Sequence, residues 1–422
     1  MASSLPRPKP TITRSEWGLL LLLAAVQFTN ILDFVIIMPL APMAKLNYGI
    51  NSEQFGHVVA AYGFASFVGS ILAAKFLDRF GRKAALLAVY VGFTISTLLC
   101  GLAPTYETLV AARALAGFFG GIVGACVMAV VGDVFADYRR GTAMGAVMSA
   151  FAVASIIGLP IGLFLAENFG FGAPFIALAG VSACVWVGNV RVMPNLREHL
   201  SHGHPPATLW RLAVEPSHLL AFAFSVSLML GSFTVIPFLA DSLIANAGQR
   251  FENMKYMYMI AGVFTLVSTN VVGRLSDRLG KRLIFRILAG SAIGMVLIIT
   301  NLPPVSFSIA TLACIGFMVA TSGRMVPAQA LLTSCSTPAM RGGFLSLNSA
   351  VQSAAMGLAS LIGGALIGQS EDGRLPGYPV VGIVAASSAL LSLVLAGFLR
   401  KVDLGPVQVA PSFVPASPDN KM

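Results

Sequence analysis

The sequence predicts an all-α polytopic membrane protein with twelve transmembrane helices in two pseudo-symmetric six-helix bundles, and three observations lead to this prediction. Of the 422 residues, 56% are hydrophobic and only 10% are charged, whereas a soluble domain carries about 25% charged residues. The apolar residues form long runs, as spanning helices of about 20 residues require. Landmarks of the first half recur in the second half, which indicates an internal duplication.

Twelve apolar runs are long enough to cross a bilayer, and the first is too long for a signal peptide. The predicted spans are 16–40, 54–77, 84–103, 107–132, 142–167, 173–193, 217–241, 254–275, 284–301, 305–331, 342–368 and 378–399. The predicted domains are an N-terminal bundle (1–193), a cytoplasmic linker (194–216), a C-terminal bundle (217–401) and a disordered cytoplasmic tail (402–422).

The clearest sign of duplication is a loop that occurs twice. Residues 74–83 (AKFLDRFGRK) and 273–282 (GRLSDRLGKR) each set an acid beside an arginine, followed by a glycine and two more cations. Asp277 follows Asp78 by 199 residues, and a second Arg-Gly pair at 341–342 follows the pair at 140–141 by 201. Two landmarks in the same order and phase indicate parallel repeats.

The cations predict the orientation in the membrane. Of the 27 lysines and arginines, 21 lie in the termini and the even-numbered connections, four lie in the opposite connections, and two lie within spans. Positive residues stay on the cytoplasmic side, so both termini are expected there. The net charge of +10 is therefore read as a topology signal, and no nucleic-acid partner is expected.

Three charged residues within spans are the first candidates for chemistry. Asp33 is the only acid deep in a span, where it costs roughly 2.5–3.5 kcal/mol unless it faces water or a partner; the alternative is a packing acid. Arg113 in the fourth span either takes part in a functional site within the membrane or anchors the helix at the outer surface. Arg324, beside Gly323 and Pro327 in a weakened helix, either holds an anionic substrate group or anchors at the interface.

Uncharged polar side chains within the spans are candidates for lining a cavity, although an amide there also suits a helix–helix hydrogen bond. Asn348 and Gln352 are four residues apart and therefore share a helix face. The predicted cavity set is Asn30, Tyr62, Arg324, Asn348 and Gln352. The five cysteines are scattered and show no disulfide or metal spacing. The linker histidines, His199, His202 and His204, are expected to be solvated rather than to bind metal, and no cofactor is expected.

The repeated loop resembles the signature loop of the major facilitator superfamily, G-x-L-x-D-R-x-G-R/K-R/K. The second copy matches at every position, and the first has Ala74 in place of glycine and Phe76 in place of leucine. The resemblance covers essentially the whole chain and implies two six-helix bundles around a central cavity, with parallel repeats as in secondary transporters.

Further motifs resemble the drug:proton antiporters of this superfamily. Asp33 is followed six residues later by Pro39, as in their first-helix motif, and Arg113 and Gly117 fit the fourth-helix pattern R-x-x-x-G, whose arginine is tied to proton coupling. Residues 158–162 (GLPIG) match the antiporter motif G-P-x-x-G-G only in part and are closer to the sugar-efflux-like exporters.

The resemblance implies a secondary active transporter, not an enzyme, in the inner membrane of a bacterium. It would export a drug-like compound, sugar or metabolite by proton antiport and alternating access, with Asp33 and Arg113 in proton coupling. Asp33 lies about 17 residues, or roughly 26 Å, into the first span, so it can share a level with Arg113 near the outer end of the fourth. No G-x-x-x-x-G-K-[ST] loop is present, so ATP is not expected to drive transport.

Two alternatives stay open at this point: proton-coupled uptake or facilitated diffusion of a sugar or metabolite, and a membrane sensor without transport. The expected partners are a small-molecule substrate, protons and the lipid bilayer, and the expected state is a monomer. The repeated loops are predicted to latch the two halves together at the cytoplasmic side, with the first acid near Arg341 and the second near Arg140. The predicted latch comprises Asp78, Arg79, Gly81, Arg82, Asp277, Arg278, Gly280, Arg140 and Arg341.

Overall fold

The computed structural model of the chain describes residues 13–76, 79–135, 137–194, 209–337, 340–368 and 373–399. Within these ranges, twelve helical segments are long and apolar enough to span a bilayer, which confirms the predicted number. The predicted tail lies outside the described residues, as does most of the predicted linker; the end of the linker forms a short helix, Leu209–Val214.

The helices follow one another in two series. The first half contains α1 (Arg14–Ile36), α2 (Ala41–Tyr48), α3 (Ser52–Phe76), α4 (Arg82–Leu102), α5 (Tyr106–Val134), α6 (Asp137–Val153), a π-helical turn (Ala154–Gly158), α7 (Leu159–Phe169) and α8 (Ala173–Val192). The second half contains α9 (Leu209–Val214), α10 (Pro216–Phe233), a 3-10 turn (Ile236–Phe238), α11 (Leu239–Ala245), α12 (Phe251–Leu279), α13 (Lys281–Thr300), α14 (Phe307–Gly323), α15 (Met325–Thr333), α16 (Arg341–Leu366) and α17 (Tyr378–Phe398).

Local sequence signals explain where several helices begin and end. The Thr13 side chain accepts a hydrogen bond from the Glu16 amide, and the Glu16 carboxylate accepts one from the Thr13 amide, so α1 begins with a capping box. Gly280, with φ at 97°, separates α12 from α13 and explains why the second repeated loop carries a glycine there.

The first spans of the two halves break at matching places. Helix α1 ends at Ile36 and the chain resumes a helix at Ala41; α10 ends at Phe233 and α11 begins at Leu239, 198 residues after α2 begins. The tenth span also breaks, between α14 and α15. Irregular backbone at membrane depth is tolerated where neighbouring protein groups satisfy it, so these breaks mark places where polar groups gather.

Helix α3 of the first half packs along α16 of the second half through small residues. A Cβ atom on Gly63 would lie 2.8 Å from the Gly357 nitrogen, and the Ser66 hydroxyl lies 3.4 Å from that of Ser353. Glycine and serine allow the two backbones to approach closely, as in membrane helix pairs generally.

Two ion pairs join the halves at one end of the molecule. The end of the molecule where α4 and α13 begin, with Arg82 and Lys281, is called the cation-rich end. The two ion pairs lie at the other end, which is called the opposite end. Lys45 Nζ lies 2.7 Å from Asp241 Oδ2, and Lys255 Nζ lies 2.6 Å from Glu167 Oε2. The other salt bridges between described residues stay within the first half: Arg82–Asp133, Arg113–Asp33 and Arg139–Glu16. In this conformation, salt bridges therefore tie the halves together at the opposite end.

Candidate functional site

A buried charge pair connects α1 with α5. Nη1 of Arg113 donates to Asp33 Oδ2 at 3.0 Å, and the Thr97 hydroxyl on α4 donates to Asp33 Oδ1 at 3.0 Å. The side chains of Asp33, Arg113 and Thr97 are all fully buried. Because a lone charge at such a place is costly, each member of the pair depends on the other.

The break in the first span contributes to this site. The same Arg113 nitrogen also donates to the backbone carbonyl of Asp33 at 3.0 Å. That carbonyl belongs to the last turn of α1, whose final four carbonyls have no partner within the helix and carry partial negative charge. The arginine thus neutralises both a carboxylate and a helix end. The alternative of Arg113 as a surface anchor is wrong, because its side chain is fully buried.

Two of the predicted cavity residues surround this pair. The Tyr62 ring centroid lies 4.5 Å from Cζ of Arg113, which is a cation–π contact. The Tyr62 hydroxyl donates to Asn30 Oδ1 at 3.3 Å, and Asn30 Nδ2 donates to the Gly120 carbonyl at 3.1 Å. Asn30 and Tyr62 therefore belong to the same polar network as the charge pair. Sequence reasoning missed Thr97, because a threonine within an apolar span gives no distinctive signal.

Glycines on α5 allow this network to form. A Cβ atom on Gly117 would overlap the Tyr62 backbone, and one on Gly121 would overlap the Ser66 carbonyl. Glycine lets α3 approach α5 closely enough for Tyr62 to cover Arg113. The spacing of Arg113 and Gly117 thus has a direct packing reason in this chain.

The fifth-span motif packs against the carboxylate-bearing helix. A Cβ atom on Gly158 would lie 2.9 Å from a Leu32 methyl group, and one on Gly162 would overlap the Ile36 side chain. The π-helical turn ends at Gly158. A Cβ atom added to Gly262 of α12 would lie 3.1 Å from the carbonyl oxygen of Ser155 in that turn. Residues 158–162 therefore contact α1 beside Asp33, directly next to a contact between the halves.

The second half holds a buried arginine with a different environment. Nη2 of Arg324 donates to the Gly231 carbonyl at 3.0 Å and to the Ser232 hydroxyl at 2.7 Å. Its side chain is fully buried, so it is not an exposed interfacial anchor, and Nε and Nη1 have no hydrogen-bond partner among the described residues. Ser232 follows Asp33 by 199 residues, the same offset that separates the two repeated loops.

The remaining predicted cavity residues lie on α16. The Ser225 hydroxyl of α10 donates to Asn348 Oδ1 at 2.6 Å, so Asn348 makes the helix–helix hydrogen bond that was its alternative interpretation. Gln352 is partly buried, and its Nε2 has no hydrogen-bond partner within the described part of the chain. Among the described residues, no hydrogen bond joins these two side chains to Arg324 or to the Asn30–Tyr62 network.

The predicted latch contacts are not formed where the structure describes them. Asp277 and Arg278 are exposed, and Asp277 makes no ion pair with Arg140, which donates to the Gly132 carbonyl at 2.9 Å. Asp78 and the side chain of Arg341 lie outside the described residues. The other latch residues lie at the cation-rich end: Arg79 lies over the Phe76 ring, Arg82 pairs with Asp133, and Gly81 and Gly280 precede α4 and α13.

A cavity of about 560 Å³ lies elsewhere, at the opposite end of the first half. Its lining includes Asn47, Tyr48, Phe169 and Phe171, and none of the predicted cavity residues. Burial raises the pKa of the Tyr48 hydroxyl, which remains a donor to the Ala103 carbonyl at 2.9 Å. Within the described ranges no group of three or more His, Cys, Asp or Glu side chains is placed to hold a metal. The linker histidines lie outside these ranges.

Twelve spans in two related bundles are typical of a polytopic membrane transporter, as are a buried Asp33–Arg113 pair between the first and fourth spans of one half and a buried Arg324 on the fourth span of the other. A family model described as Major Facilitator Superfamily matches residues 23–325. The chain belongs to this superfamily.

Similar proteins agree with this assignment. The MFS-type transporter YceJ of Bacillus subtilis is 26% identical over 365 residues, covering 85% of this chain and 91% of that protein. Multidrug resistance protein 1 of the same bacterium is 26% identical over 223 residues, covering 52% of this chain and 55% of that protein. The structure of the xylose transporter XylE from E. coli, in a partially occluded inward open conformation, matches with a TM-score of 0.72 at 16% identity, covering 92% of this chain and 98% of that one. That likeness shows the fold.

Proposed function

We propose that this transporter exports a small molecule across the inner membrane of a bacterium by proton antiport, with Asp33 as the proton-carrying group. The observation that carries the proposal is the fully buried pair of Asp33 and Arg113. The similarity to Multidrug resistance protein 1 supports export as the direction.

The physical basis is the cost of unbalancing a buried pair. With the proton absent, Asp33 compensates the charge of Arg113 through the 3.0 Å contact. Adding a proton to Asp33 leaves the arginine charge uncompensated in a place without solvent, which costs several kcal/mol. The protein reduces this cost by moving to a conformation in which the two groups separate or become hydrated. Proton binding and conformation are thereby linked, as a two-state transporter requires.

The architecture around the pair suits such a movement. The break after Ile36 and the glycine contacts of residues 158–162 adjoin the helix that bears Asp33. A change in the π-helical turn of the fifth span would therefore alter both the packing around the Asp33 carboxylate and the contact of the fifth span with α12.

The decisive experiment uses purified protein in liposomes that contain a trapped pH-sensitive dye, with substrates first found by a thermal-stabilisation screen. Asp33→Asn is expected to abolish substrate-linked proton movement while the protein stays folded, and Asp33→Glu is expected to keep part of it. Glu107→Gln is the matched control, because Glu107 is an exposed acid in the first turn of α5. Full coupling in Asp33→Asn would refute the proposal.

The same assay separates the alternative functions. In antiport, protons move against the direction of the substrate; in symport they move with it, which would favour uptake of a sugar or metabolite. A sensor would move neither.

We also propose that the repeated loops latch the halves at the cation-rich end in the conformation opposite to this one. The exposure of Asp277 fits a latch that is released while salt bridges tie the halves at the opposite end. Asp277→Asn should then favour the conformation described here, because it removes a carboxylate worth about 0.3–1 kcal/mol near a helix N-terminus. Spin-label distances across the cation-rich end that are unchanged by Asp277→Asn would contradict the latch.

A further inference from the structure

We propose that Arg324 binds an anionic group of the transported molecule, so that the substrate is a small organic anion carrying a carboxylate or phosphate. This inference deepens the proposed function, because it assumes that the chain carries a small molecule. It does not depend on the direction of transport or on the role of Asp33.

The first argument is that Arg324 forms no ion pair with any described residue. The described acids of the second-half helices lie elsewhere: Asp241 pairs with Lys45, and Glu252 and Asp277 lie near the two ends of α12. An arginine keeps its proton in proteins, so its charge persists in the buried position. A buried charge without a partner is strongly unfavourable.

The second argument is the number of donors left over. A guanidinium carries five N–H groups. The two on Nη2 face Gly231 and Ser232, and both of these acceptors are neutral. The three on Nε and Nη1 have no acceptor among the described residues. A carboxylate or phosphate supplies several acceptor oxygens and the missing charge together, and its geometry matches the planar guanidinium.

The third argument comes from the repeat. In the first half, the carboxylate of Asp33 accepts from Arg113 at the end of α1. In the second half, the residue at the same repeat offset is Ser232, and Arg324 contacts it at the end of α10. The first half thus has a carboxylate beside its arginine, and the second half has a hydroxyl at the corresponding position. A carboxylate on the substrate would balance the charge of Arg324 as Asp33 balances that of Arg113.

The helix geometry supports a binding site here. Arg324 stands at the break between α14 and α15, and its partners stand in the last turn of α10 before the next break. Interrupted helices of this kind form substrate and ion sites in secondary transporters. Arg324 is fully buried in this conformation, so the ligand enters when the halves move.

The test measures thermal stabilisation of purified, lipid-free protein in detergent, at constant ionic strength and without a proton gradient. The probes are pairs that differ mainly in charge: benzoate and benzamide, gluconate and glucose, and glucose 6-phosphate and glucose. At least one anion is expected to raise Tm more than its neutral counterpart. Arg324→Gln should weaken the binding of that anion about ten- to a hundredfold and leave the binding of the neutral compound unchanged. Arg324→Lys should keep part of the preference.

A second pair of variants tests the repeat argument without removing the arginine. Ser232→Asp places a carboxylate within reach of Arg324, so it should abolish the anion preference and raise Tm in the absence of ligand. Ser232→Asn is the matched control, which changes size similarly but adds no charge, and it should keep the preference. Anion binding should also persist in Asp33→Asn, so a failure of proton coupling is distinguishable from a failure of this inference.

Three outcomes would overturn the proposal. The first is equal stabilisation by the charged and neutral members of every pair in the natural protein. The second is an anion preference that survives both Arg324→Gln and Ser232→Asp. The third is selective stabilisation in nanodiscs by phosphatidylglycerol over phosphatidylcholine, with no effect of any soluble anion, because the anion would then be a lipid headgroup.

Discussion

The two halves of this transporter place an arginine of the fourth span against the end of the first span, yet they differ in charge. In the first half, Arg113 meets the carboxylate of Asp33, so the buried group is balanced. In the second half, Arg324 meets the hydroxyl of Ser232 and forms no ion pair with any acid in the described part of the chain. Under the proposed function, this difference gives the two halves different roles: the Asp33 carboxylate of the first half exchanges a proton, and Arg324 of the second half binds the charged group of the substrate.

The largest expected effect concerns stability and compares the two arginines. Arg113→Gln leaves Asp33 buried without its partner and should cost about 3–5 kcal/mol. Arg324→Gln orphans no carboxylate and should cost clearly less. Thermal unfolding of both variants in detergent gives the order. If Arg324→Gln proves as destabilising as Arg113→Gln, the contrast between the halves fails.

A smaller effect is expected from the glycines beside the two arginines. Gly117→Ala drives a methyl group into the Tyr62 backbone and should cost about 1–3 kcal/mol while shifting the ring from Arg113. Gly323→Ala is the matched change in the second half, where an added Cβ meets nothing closer than a Leu288 methyl group at 3.6 Å. We expect it to be tolerated. Unfolding and coupling assays on both proteins check this, and equal losses would show that packing around the first arginine is not special.

The last predictions concern the conformational equilibrium rather than the free energy of unfolding, at the two ion pairs that join the halves. The Lys45–Asp241 pair is 10% exposed on each side, so Asp241→Asn should shift the conformational equilibrium by about 1.5–3 kcal/mol. The Lys255–Glu167 pair is more exposed, at 19% and 25%, and Glu167→Gln should shift it by only about 0.2–1 kcal/mol. Spin labels at Leu46→Cys and Arg250→Cys report the separation of the halves, and a larger distance in Asp241→Asn is the expected result. A reversed order would mean that the more exposed pair controls closure.

Much of the architecture was predictable from the sequence, because hydrophobic length and repeated landmarks report directly on spans and duplication. The approach of Asp33 to Arg113 was also predictable, since their depths follow from helix rise and the cost of buried charge restricts their partners. The breaks after Ile36 and Phe233 were not, because Pro39 marks a weak point without fixing where the helix ends.

The partners of Arg324 and the contacts between halves were out of reach for a different reason. Ser232 is one of many serines within apolar spans, and it gains meaning only when its distance to Arg324 is known. Asp241 lies near the end of an apolar run in the sequence, and its partner Lys45 is 196 residues away in the other half. Such pairs depend on how the bundles face each other, which hydropathy does not encode.

The contact of α3 with α16 has a consequence for the speed of transport. Where Gly63 meets Gly357, backbone lies against backbone, and the Ser66 and Ser353 hydroxyls meet beside it; the Phe64 ring is the bulky side chain that packs against Gly357. Sliding along a contact made mostly by small residues displaces little side-chain volume. We therefore expect this contact to contribute little to the activation barrier for rocking of the two halves, and the ion pairs at the opposite end to set that barrier.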